Sequence, residues 1–154
     1  MKTQRINSNS IPTYKGTYLL FLSNTKSQKI NIGKQGDFLF PSGLLVYVGS
    51  AFGSGGLMGR ISHHLRVSRK CHWHIDYLLQ KMPVFQVLYT ENPSRLEHEW
   101  AMLLKSIPEL SIPMKRFGAS DCQCASHLFH IPSQYEDIRI EQQVKEDIMK
   151  LSVL

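Results

Sequence analysis

The segment that most constrains the fold is GLLVYVGSAFGSGGLMGRISHHL, residues 43–65, where an apolar run meets glycines and then basic residues. The run Leu44–Val48 is rich in residues that favour β-structure and predicts a strand. Gly53–Gly56 predicts a turn, because glycine adopts backbone conformations that other residues avoid. From Leu57 onward, apolar residues recur at a spacing of four, which predicts a helix. A strand, a glycine turn and a helix therefore follow one another directly, and the helix carries Arg60 close to the turn.

The rest of the chain predicts two more strands and three more helices. Residues that favour strands dominate Thr17–Ser23 and Val84–Thr90. The segment Asn24–Ser42 between the first two strands predicts a hairpin with polar turns. The predicted helices carry apolar stripes at Ile75, Leu78, Leu79 and Met82, at Leu96, Trp100, Leu103 and Leu104 after a capping Ser94, and at Ile140, Val144, Ile148 and Leu151. This order predicts an α+β fold in which helices cover a small sheet.

Length and hydropathy narrow the class of protein. A chain of 154 residues is expected to form one domain. We expect a loose N-terminus at residues 1–13, a main domain at 14–132 that is irregular from 106 onward, and a C-terminal amphipathic helix at 133–154. The longest apolar run is too short to span a membrane, and no apolar core follows the N-terminal charges. The sequence therefore predicts a cytoplasmic protein.

Basic residues gather just after the glycine turn. The formal net charge is +6, and no acidic residue lies between Arg60 and His74. Positive charge favours polyanionic partners, nucleic acid above all, and a solvated basic face is the common alternative. The neighbouring turn favours a phosphate-binding face, whose residues are Arg60, Arg66, Arg69, Lys70 and His74.

Further residues predict phosphodiester chemistry beside this basic face. Arg60 and His64 are four residues apart and share one face of the predicted helix. Tyr47 lies near the end of the strand that leads into it, Tyr18 lies in the first strand, and Glu97 lies early in the third helix. A carboxylate holds a hard cation, an arginine stabilises phosphoryl oxygens, and a tyrosine or histidine takes a proton from water. Taken singly, the tyrosines are typical core residues and Glu97 is a typical first-turn helix acid.

Two tripeptides resemble the paired motifs of the GIY-YIG nuclease superfamily. They are GTY at residues 16–18 and YVG at residues 47–49. In GRISHH, Arg60 follows Gly49 by eleven residues, where the superfamily places its helix arginine, and His64 matches a histidine or tyrosine often found there. The segment RLEHEWAMLLK resembles the carboxylate helix of the superfamily, with Glu97 as its metal-binding glutamate and Glu99 as the fallback.

Longer segments resemble one branch, the stand-alone Uri-type endonucleases. These segments are GLLVYVGSAFGSGGLMGRISHHLR, CHWHIDYLL and FGASDCQCASHLF, and the resemblance covers residues 15–131. It implies a nuclease domain built on a three-stranded antiparallel sheet flanked by helices. The Asn24–Ser42 hairpin is then an addition between the two motif strands, because the link between them is longer than usual.

The resemblance implies a metal-dependent endonuclease; DNA is favoured over RNA as its substrate, and the sequence leaves the choice between them open. One Mg²⁺ or Mn²⁺ ion would be held by Glu97, and Arg60 would stabilise the phosphorane. Tyr18 or Tyr47, with His64, would position or deprotonate the water. Gly49 and Ser50 would contact substrate, together with Arg66, Arg69, Lys70 and His74. A structure-specific repair or recombination substrate, or delivery by a protein partner, is expected because a single small domain offers little surface for a long site.

The late asparagine that often closes a GIY-YIG site is not evident, and Ser120 or Asp121 would take its place. Asp121 and His74 are also candidates for lining the cleft and contacting substrate.

The three cysteines, Cys71, Cys122 and Cys124, are expected to be reduced, since their number is odd. Thiolate and imidazole ligands that together suit zinc come from His72, His74, Cys122, Cys124 and His127, and the last three are the candidate zinc ligands. The spacing Cys-x-Cys-x-x-His is unusual for structural zinc, so the sequence favours cysteines that pack as small apolar residues. Zinc stays the less favoured alternative.

Two other classes of function stay open from the residues alone. One is a nucleic-acid-binding accessory module without turnover, stabilised by zinc in one version. The other is a protein-interaction domain that docks a partner through its acidic last helix. The joint presence of Tyr18, Tyr47, Arg60, His64 and Glu97 favours the nuclease over both.

Overall fold

The computed structural model describes residues 2–4, 11–66, 70–132 and 138–152. Their strands are β1 (Lys2–Gln4), β2 (Gly16–Asn24), β3 (Gln28–Asn31), β4 (Asp37–Phe40), β5 (Gly43–Ala51), β6 (Val84–Thr90) and β7 (Leu128–Pro132). Their α-helices are α1 (Gly56–Leu65), α2 (His74–Leu79), α3 (Glu97–Ser106) and α4 (Ile138–Ser152). None of these helices has the length and apolar character needed to cross a membrane. The predicted α+β class is confirmed.

The main sheet is antiparallel and has the strand order β1-β6-β2-β5-β7 among the described residues. Its three central strands are the three predicted from sequence. The two edge strands are additions, so the sheet has five strands where three were expected. Lys2–Gln4 pairs through its backbone with β6, in a segment predicted to be loose because it has no apolar alternation. β7 lies in the segment 106–132, which was predicted to be irregular because of its prolines and Gly118.

Alternating side chains of β2 and β5 feed two separate cores on the two faces of the sheet. Tyr18, Leu20 and Leu22 belong to one core, which is completed by α1, α2 and the hairpin. Leu19 and Phe21 belong to the other, which is completed by α3 and α4. The alternation follows from the two-residue period of a strand. Val144 and Ile148 of the predicted last helix are fully buried in the second core, so α4 is part of this layer.

The predicted hairpin is present as a separate two-stranded sheet of β3 and β4. Ile30 and Phe40 bury apolar side chains in the core on the α1 and α2 side. The buried amide of Asn24 donates to the carbonyl oxygens of Phe40, at 3.0 Å, and Pro41, at 2.7 Å. Asn24 thereby joins the end of β2 to the end of the hairpin.

Two predicted helix boundaries differ from the structure. Ser94 does not cap α3, since its backbone N–H donates to Oδ1 of Asn92 in a turn and the helix begins at Glu97 without a side-chain cap. α2 ends at Leu79, and Met82 is buried beyond its end. In both places an apolar side chain outside the helix keeps the helical spacing: Leu96 precedes α3, and Met82 follows α2.

The outer edge of β5 is only half covered, and this creates the site. β7 pairs with Gly43–Tyr47 of β5, and the pairing stops at Leu128. Beyond that point, Val48 donates its N–H to the carbonyl of His127, at 2.9 Å, and no described strand continues along this edge. Side chains from both faces of the sheet meet at the uncovered part, Gly49–Ala51.

Candidate active site

A cleft of about 720 Å³ opens at the uncovered edge of β5. Arg60 of α1 and Tyr47 of β5 reach it from one face of the sheet, and Glu97 of α3 and Ser50 of β5 reach it from the other. The remaining lining residues are Phe52, Gly53, His72, Trp73, His74, Arg95, His98, Gly118, Ser120 and Asp121. The wall combines two arginines and three histidines with two carboxylates, so it suits an anionic ligand accompanied by a cation.

The two motif tyrosines lie on one face of neighbouring strands, with ring centroids 6.5 Å apart. They are not equally exposed to the cleft. Tyr47 is 6% exposed and lines it, whereas Tyr18 is fully buried behind it. Gly49 is opposite Tyr18, and a Cβ added there would lie 2.3 Å from Cζ of that ring. The glycine of YVG is therefore required because the phenol occupies the space of its side chain.

A chain of buried polar groups leads away from Tyr18. Its hydroxyl lies 2.8 Å from Nε2 of His64, and Nδ1 of His64 lies 3.3 Å from Oδ1 of Asp76. The other oxygen of Asp76 accepts from the backbone N–H groups of His72 and Trp73, at 2.9 and 3.1 Å, and lies 3.2 Å from Nε2 of His63. Asp76 thus fixes the start of α2 and one ring nitrogen of His64 together.

The pKa shifts assign the protons in this chain. Burial disfavours the charged form of Asp76, but hydrogen bonds from His64, His72 and Trp73 outweigh it and hold its pKa far below the ordinary value. Burial lowers the pKa of His64, and the bond to Asp76 only partly opposes this. Burial raises the pKa of Tyr18 well above its usual range. A neutral His64 therefore donates a hydrogen bond from Nδ1 to an ionised Asp76, and its Nε2 accepts a hydrogen bond from the Tyr18 hydroxyl.

Two arginines are held over aromatic rings at the cleft. The Cζ of Arg60 lies 4.0 Å from the centroid of Trp73, and the Cζ of Arg95 lies 4.7 Å from the centroid of Phe52. Stacking on a ring fixes the plane of a guanidinium while leaving its N–H donors available. The cleft therefore presents two oriented guanidinium groups to an anion.

Glu97 is the carboxylate that this cleft holds at the start of α3. Ser50 donates its hydroxyl to Oε2, at 2.7 Å, and Nδ1 of His127 lies 3.1 Å from Oε1. That second contact is poorly directed, and Nδ1 of His127 lacks a well-formed hydrogen bond. Burial raises the pKa of Glu97, but the His127 and Ser50 contacts outweigh it and hold the pKa below its usual value. The side chain is 21% exposed, and each oxygen keeps a lone-pair direction for a further ligand.

His74 and the loop after α3 close the remaining wall. Nδ1 of His74 accepts the backbone N–H of Gly118, at 3.0 Å, and burial lowers the pKa of its imidazole. Nε2 of the neutral ring therefore carries the proton and is a donor. Gly118 has φ of +65°, and a Cβ there would lie 3.2 Å from Cε2 of Tyr47. Ser120 and Asp121, predicted to replace the missing asparagine, both line the cleft.

Some predicted site residues lie away from the cleft wall. Tyr18 and His64 are buried behind it, and Gly49 lies over Tyr18. Arg66 and Lys70 are exposed beyond the end of α1 and do not line the cleft. Arg69 lies outside the described residues. The predicted basic face is thus partly a separate surface.

Sequence reasoning missed several residues of the site. Asp76 lies three residues after Trp73, the spacing of a helix-capping acid, which signals a role at the start of α2. Arg95 lies two residues before Glu97, so the sequence alone places a positive charge close to this carboxylate. His98 carried no sequence signal. The structure brings it together with Cys122, Cys124 and His127, with one potential ligand atom of each residue within 4.8 Å of the others.

The site residues fall inside a family match. A family model described as Domain of unknown function DUF123 matches residues 17–150. The chain belongs to the DUF123 family. That match includes every lining residue of the cleft, and it includes the loop that carries Cys122 and Cys124, here called the cysteine loop. None of the curated proteins matches the chain, and none of the solved structures does.

Proposed function

We propose that this DUF123 protein is a metal-dependent endonuclease of the GIY-YIG type that hydrolyses phosphodiester bonds in DNA. The observation that carries the proposal is that Tyr47, Arg60 and Glu97, taken from three separate elements, line one cleft. Tyr18 and His64 support that cleft from behind through one hydrogen-bonded chain. The proposal equates the adjacent strands β6, β2 and β5 of the five-stranded sheet with the three-stranded sheet that the superfamily resemblance implies.

The residues present fit a single Mg²⁺ or Mn²⁺ ion. Glu97 is a partly exposed carboxylate at the cleft wall, and both of its oxygens keep acceptor capacity. Such ions are commonly held by one or two carboxylates with water and substrate phosphate as the other ligands. When bound, the ion supplies polarisation of the phosphate and stabilisation of the leaving oxygen.

Each protein residue then has a role that follows from its position. Arg60 and Arg95, stacked on Trp73 and Phe52, bind the phosphate and stabilise charge on its oxygens. The N–H of His74 donates to the same anion. Ser50 orients Glu97 through the bond to Oε2.

Tyr47 is the phenol in a position to contact the attacking water, since it alone of the two tyrosines lines the cleft. Burial raises its pKa well above the usual range, and the charge of Glu97 adds to this. Tyr47 therefore orients the water as a neutral phenol. Tyr18, His64 and Asp76 form the buried support that keeps this wall in place.

Cleavage of labelled branched, nicked and single-stranded DNA and RNA tests the proposal. We expect cutting of DNA with Mg²⁺ or Mn²⁺ and none with chelator. Glu97→Gln should lower the rate by at least about 100-fold, because the amide does not hold the cation. The matched control is Glu99→Gln on the exposed side of the same helix turn, which should cut like the wild type. Absence of metal-dependent cutting by the wild type, or equal loss in both variants, would contradict the proposal.

A binding experiment separates a role of Glu97 in cleavage from a role in maintaining the structure. The exposed basic residues Arg66 and Lys70 offer phosphate contacts outside the cleft. Replacing both by alanine should weaken DNA binding a few-fold for every sequence and reduce the salt dependence by about one counterion per residue. Glu97→Gln should leave this affinity largely intact. Binding that is lost along with cleavage in Glu97→Gln would favour a structural role for that residue.

A further inference from the structure

One loop and the start of α3 bring two thiols and two imidazoles together, and one of the four residues, His98, also lines the cleft. The four residues are His98, Cys122, Cys124 and His127, and one potential ligand atom of each lies within 4.8 Å of the others. His98 is exposed, the cysteines are half-buried, and His127 is buried. Two sulfur and two nitrogen donors are the set that a tetrahedral zinc ion takes in structural sites.

The separations agree with zinc geometry at the one pair that is individually defined. Sγ of Cys122 lies 3.4 Å from Nε2 of His127. In a tetrahedron with Zn–S of about 2.3 Å and Zn–N of about 2.0 Å, a sulfur and a nitrogen ligand lie roughly 3.5 Å apart. The remaining separations are bounded at 4.8 Å, which exceeds the ligand–ligand distances of a tetrahedral zinc site by roughly 1–1.5 Å at most.

The loop that carries the cysteines is itself built into a fixed shape. The guanidinium of Arg116 donates to the backbone carbonyls of Cys122 and Cys124, the latter at 2.7 Å, and its backbone N–H donates to Ala125. The backbone N–H of His127 donates to Phe117, at 2.8 Å. These bonds hold both thiols near His127 without using the sulfur atoms. Cys124 also packs against the core on the α3 and α4 side, so the loop combines apolar packing with the grouping of the two thiols.

His127 supplies a second, independent indication of a ligand. Its Nδ1 is buried, lies 3.1 Å from Oε1 of Glu97 and yet lacks a well-formed hydrogen bond. A histidine that binds metal through one nitrogen usually donates its other N–H to a carboxylate, which fixes the tautomer and the ring plane. A cation at Nε2 would place the proton on Nδ1 and turn the ring into line with Glu97.

We propose that His98, Cys122, Cys124 and His127 bind a structural zinc ion directly behind Glu97. The sequence favoured packing of the cysteines, and the fourth ligand His98 is what changes that balance. The ion links the cysteine loop to the start of α3, so it fixes the wall of the cleft from outside. The zinc site does not depend on nuclease activity, and each proposal is tested separately.

Elemental analysis of the purified full-length chain tests the zinc site. We expect about one zinc per chain, retained through dialysis without chelator, and a lower midpoint of thermal unfolding after chelation. Replacing zinc with cobalt should give the intense visible absorption of a tetrahedral thiolate site. Wild-type protein that takes up neither metal, with three titratable thiols or a Cys122–Cys124 disulfide, would overturn the proposal.

Variants assign the ligands. The double variant Cys122→Ser and Cys124→Ser should lose the zinc, whereas Cys71→Ser, outside the cluster, should keep it. His98→Gln should fold, since His98 is exposed, and should bind zinc at least about 10-fold more weakly. Full zinc affinity in the double variant would overturn the site, and full affinity in His98→Gln would overturn the four-ligand assignment. Zinc content is read without any cleavage assay, so failure of the nuclease proposal leaves this result intact.

Discussion

Two carboxylates of this molecule each face a histidine, and their surroundings differ in a way that separates support from chemistry. Asp76 is fully buried and accepts from two backbone N–H groups and two imidazoles. Glu97 is 21% exposed at the cleft wall and has one hydroxyl donor and one poorly directed imidazole. A carboxylate whose acceptor positions are filled holds a structure in place. A carboxylate with unfilled positions at an open cleft can take a new ligand.

The largest contrast is expected in folding stability. Asp76→Asn replaces an acceptor by a group with its own N–H donors, so at least one of the four donors around it loses its partner in a buried place. We expect the free energy of unfolding to fall by about 3 kcal/mol. Glu97→Gln should cost less than about 1 kcal/mol, since the side chain reaches solvent. Urea denaturation of both variants measures the difference, and equal losses would remove the distinction between the two carboxylates.

The same comparison predicts how stability depends on pH. Hydrogen bonds lower the pKa of Asp76 and burial lowers that of His64, so the unfolded chain binds more protons than the folded one at both positions. Stability should therefore fall as the pH drops below about 6.5, where unfolded histidine gains a proton, and fall again below about 4, where unfolded aspartate does.

Denaturant midpoints at a series of pH values check this expectation. His64→Gln should flatten the first decline, and it should also weaken the second, because the bond from His64 is one of those that lower the pKa of Asp76. His74, whose pKa is also lowered by burial, contributes to the first decline as well. A midpoint that rises on acidification would mean that His64 is charged in the folded protein. That result would contradict the assignment of a neutral His64 beside an ionised Asp76.

The hydroxyl at the end of the buried chain should have a smaller effect. Tyr18→Phe keeps the ring that fills the space above Gly49 and removes only the donor to Nε2 of His64. We expect a loss of about 1–2 kcal/mol in the free energy of unfolding. If Tyr18 only supports the cleft, cleavage should fall by less than about 10-fold; a much larger fall at unchanged stability would make Tyr18 a reacting group.

The smallest effect is expected on the Glu97 side. Ser50→Ala removes the 2.7 Å bond to Oε2 and leaves the carboxylate at the cleft. We expect unchanged folding and a few-fold higher requirement for Mg²⁺, because the oxygen is less well oriented. A titration of cleavage rate against Mg²⁺ concentration measures this. An unchanged requirement would show that the serine has no part in holding the cation ligand.

The elements that the sequence predicts well are those whose apolar spacing is local. The β5, turn and α1 unit was visible as one pattern, because strand, glycine turn and helix each have their own period. β1 was not visible, since Lys2–Gln4 pairs through its backbone and has no pattern of side chains. The start of α3 at Glu97 was also missed, because Ser94 looks like a cap and instead lies in a turn with Asn92.

The residues of the candidate site also fall into two groups, those that sequence spacing predicts and those that only the folded chain brings together. Tyr47, Arg60 and Glu97 were found from motif spacing, and the cleft contains all three. Which tyrosine lines the cleft depends on where β7 stops, and this is a property of sheet pairing that no local pattern encodes. His98 could not have been grouped with the cysteines, since α3 and the loop meet only in the folded chain. Asp76 was recognisable as a helix-capping acid, but its contact with His64 depends on how α2 packs against α1.

The two bonds from Asn24 to the end of the hairpin have a consequence for the folding rate. Asn24 pairs with Gly43 across the whole inserted segment, which is a long loop to close before β2 and β5 can join. The hairpin of β3 and β4 consists of near neighbours in sequence, so we expect it to form early and to bring Phe40 and Pro41 toward Asn24 ahead of the β2–β5 pairing. We expect Asn24→Ala to slow folding more than it speeds unfolding in stopped-flow measurements. A segment that interrupts the two motif strands would then also shorten the search by which they find each other.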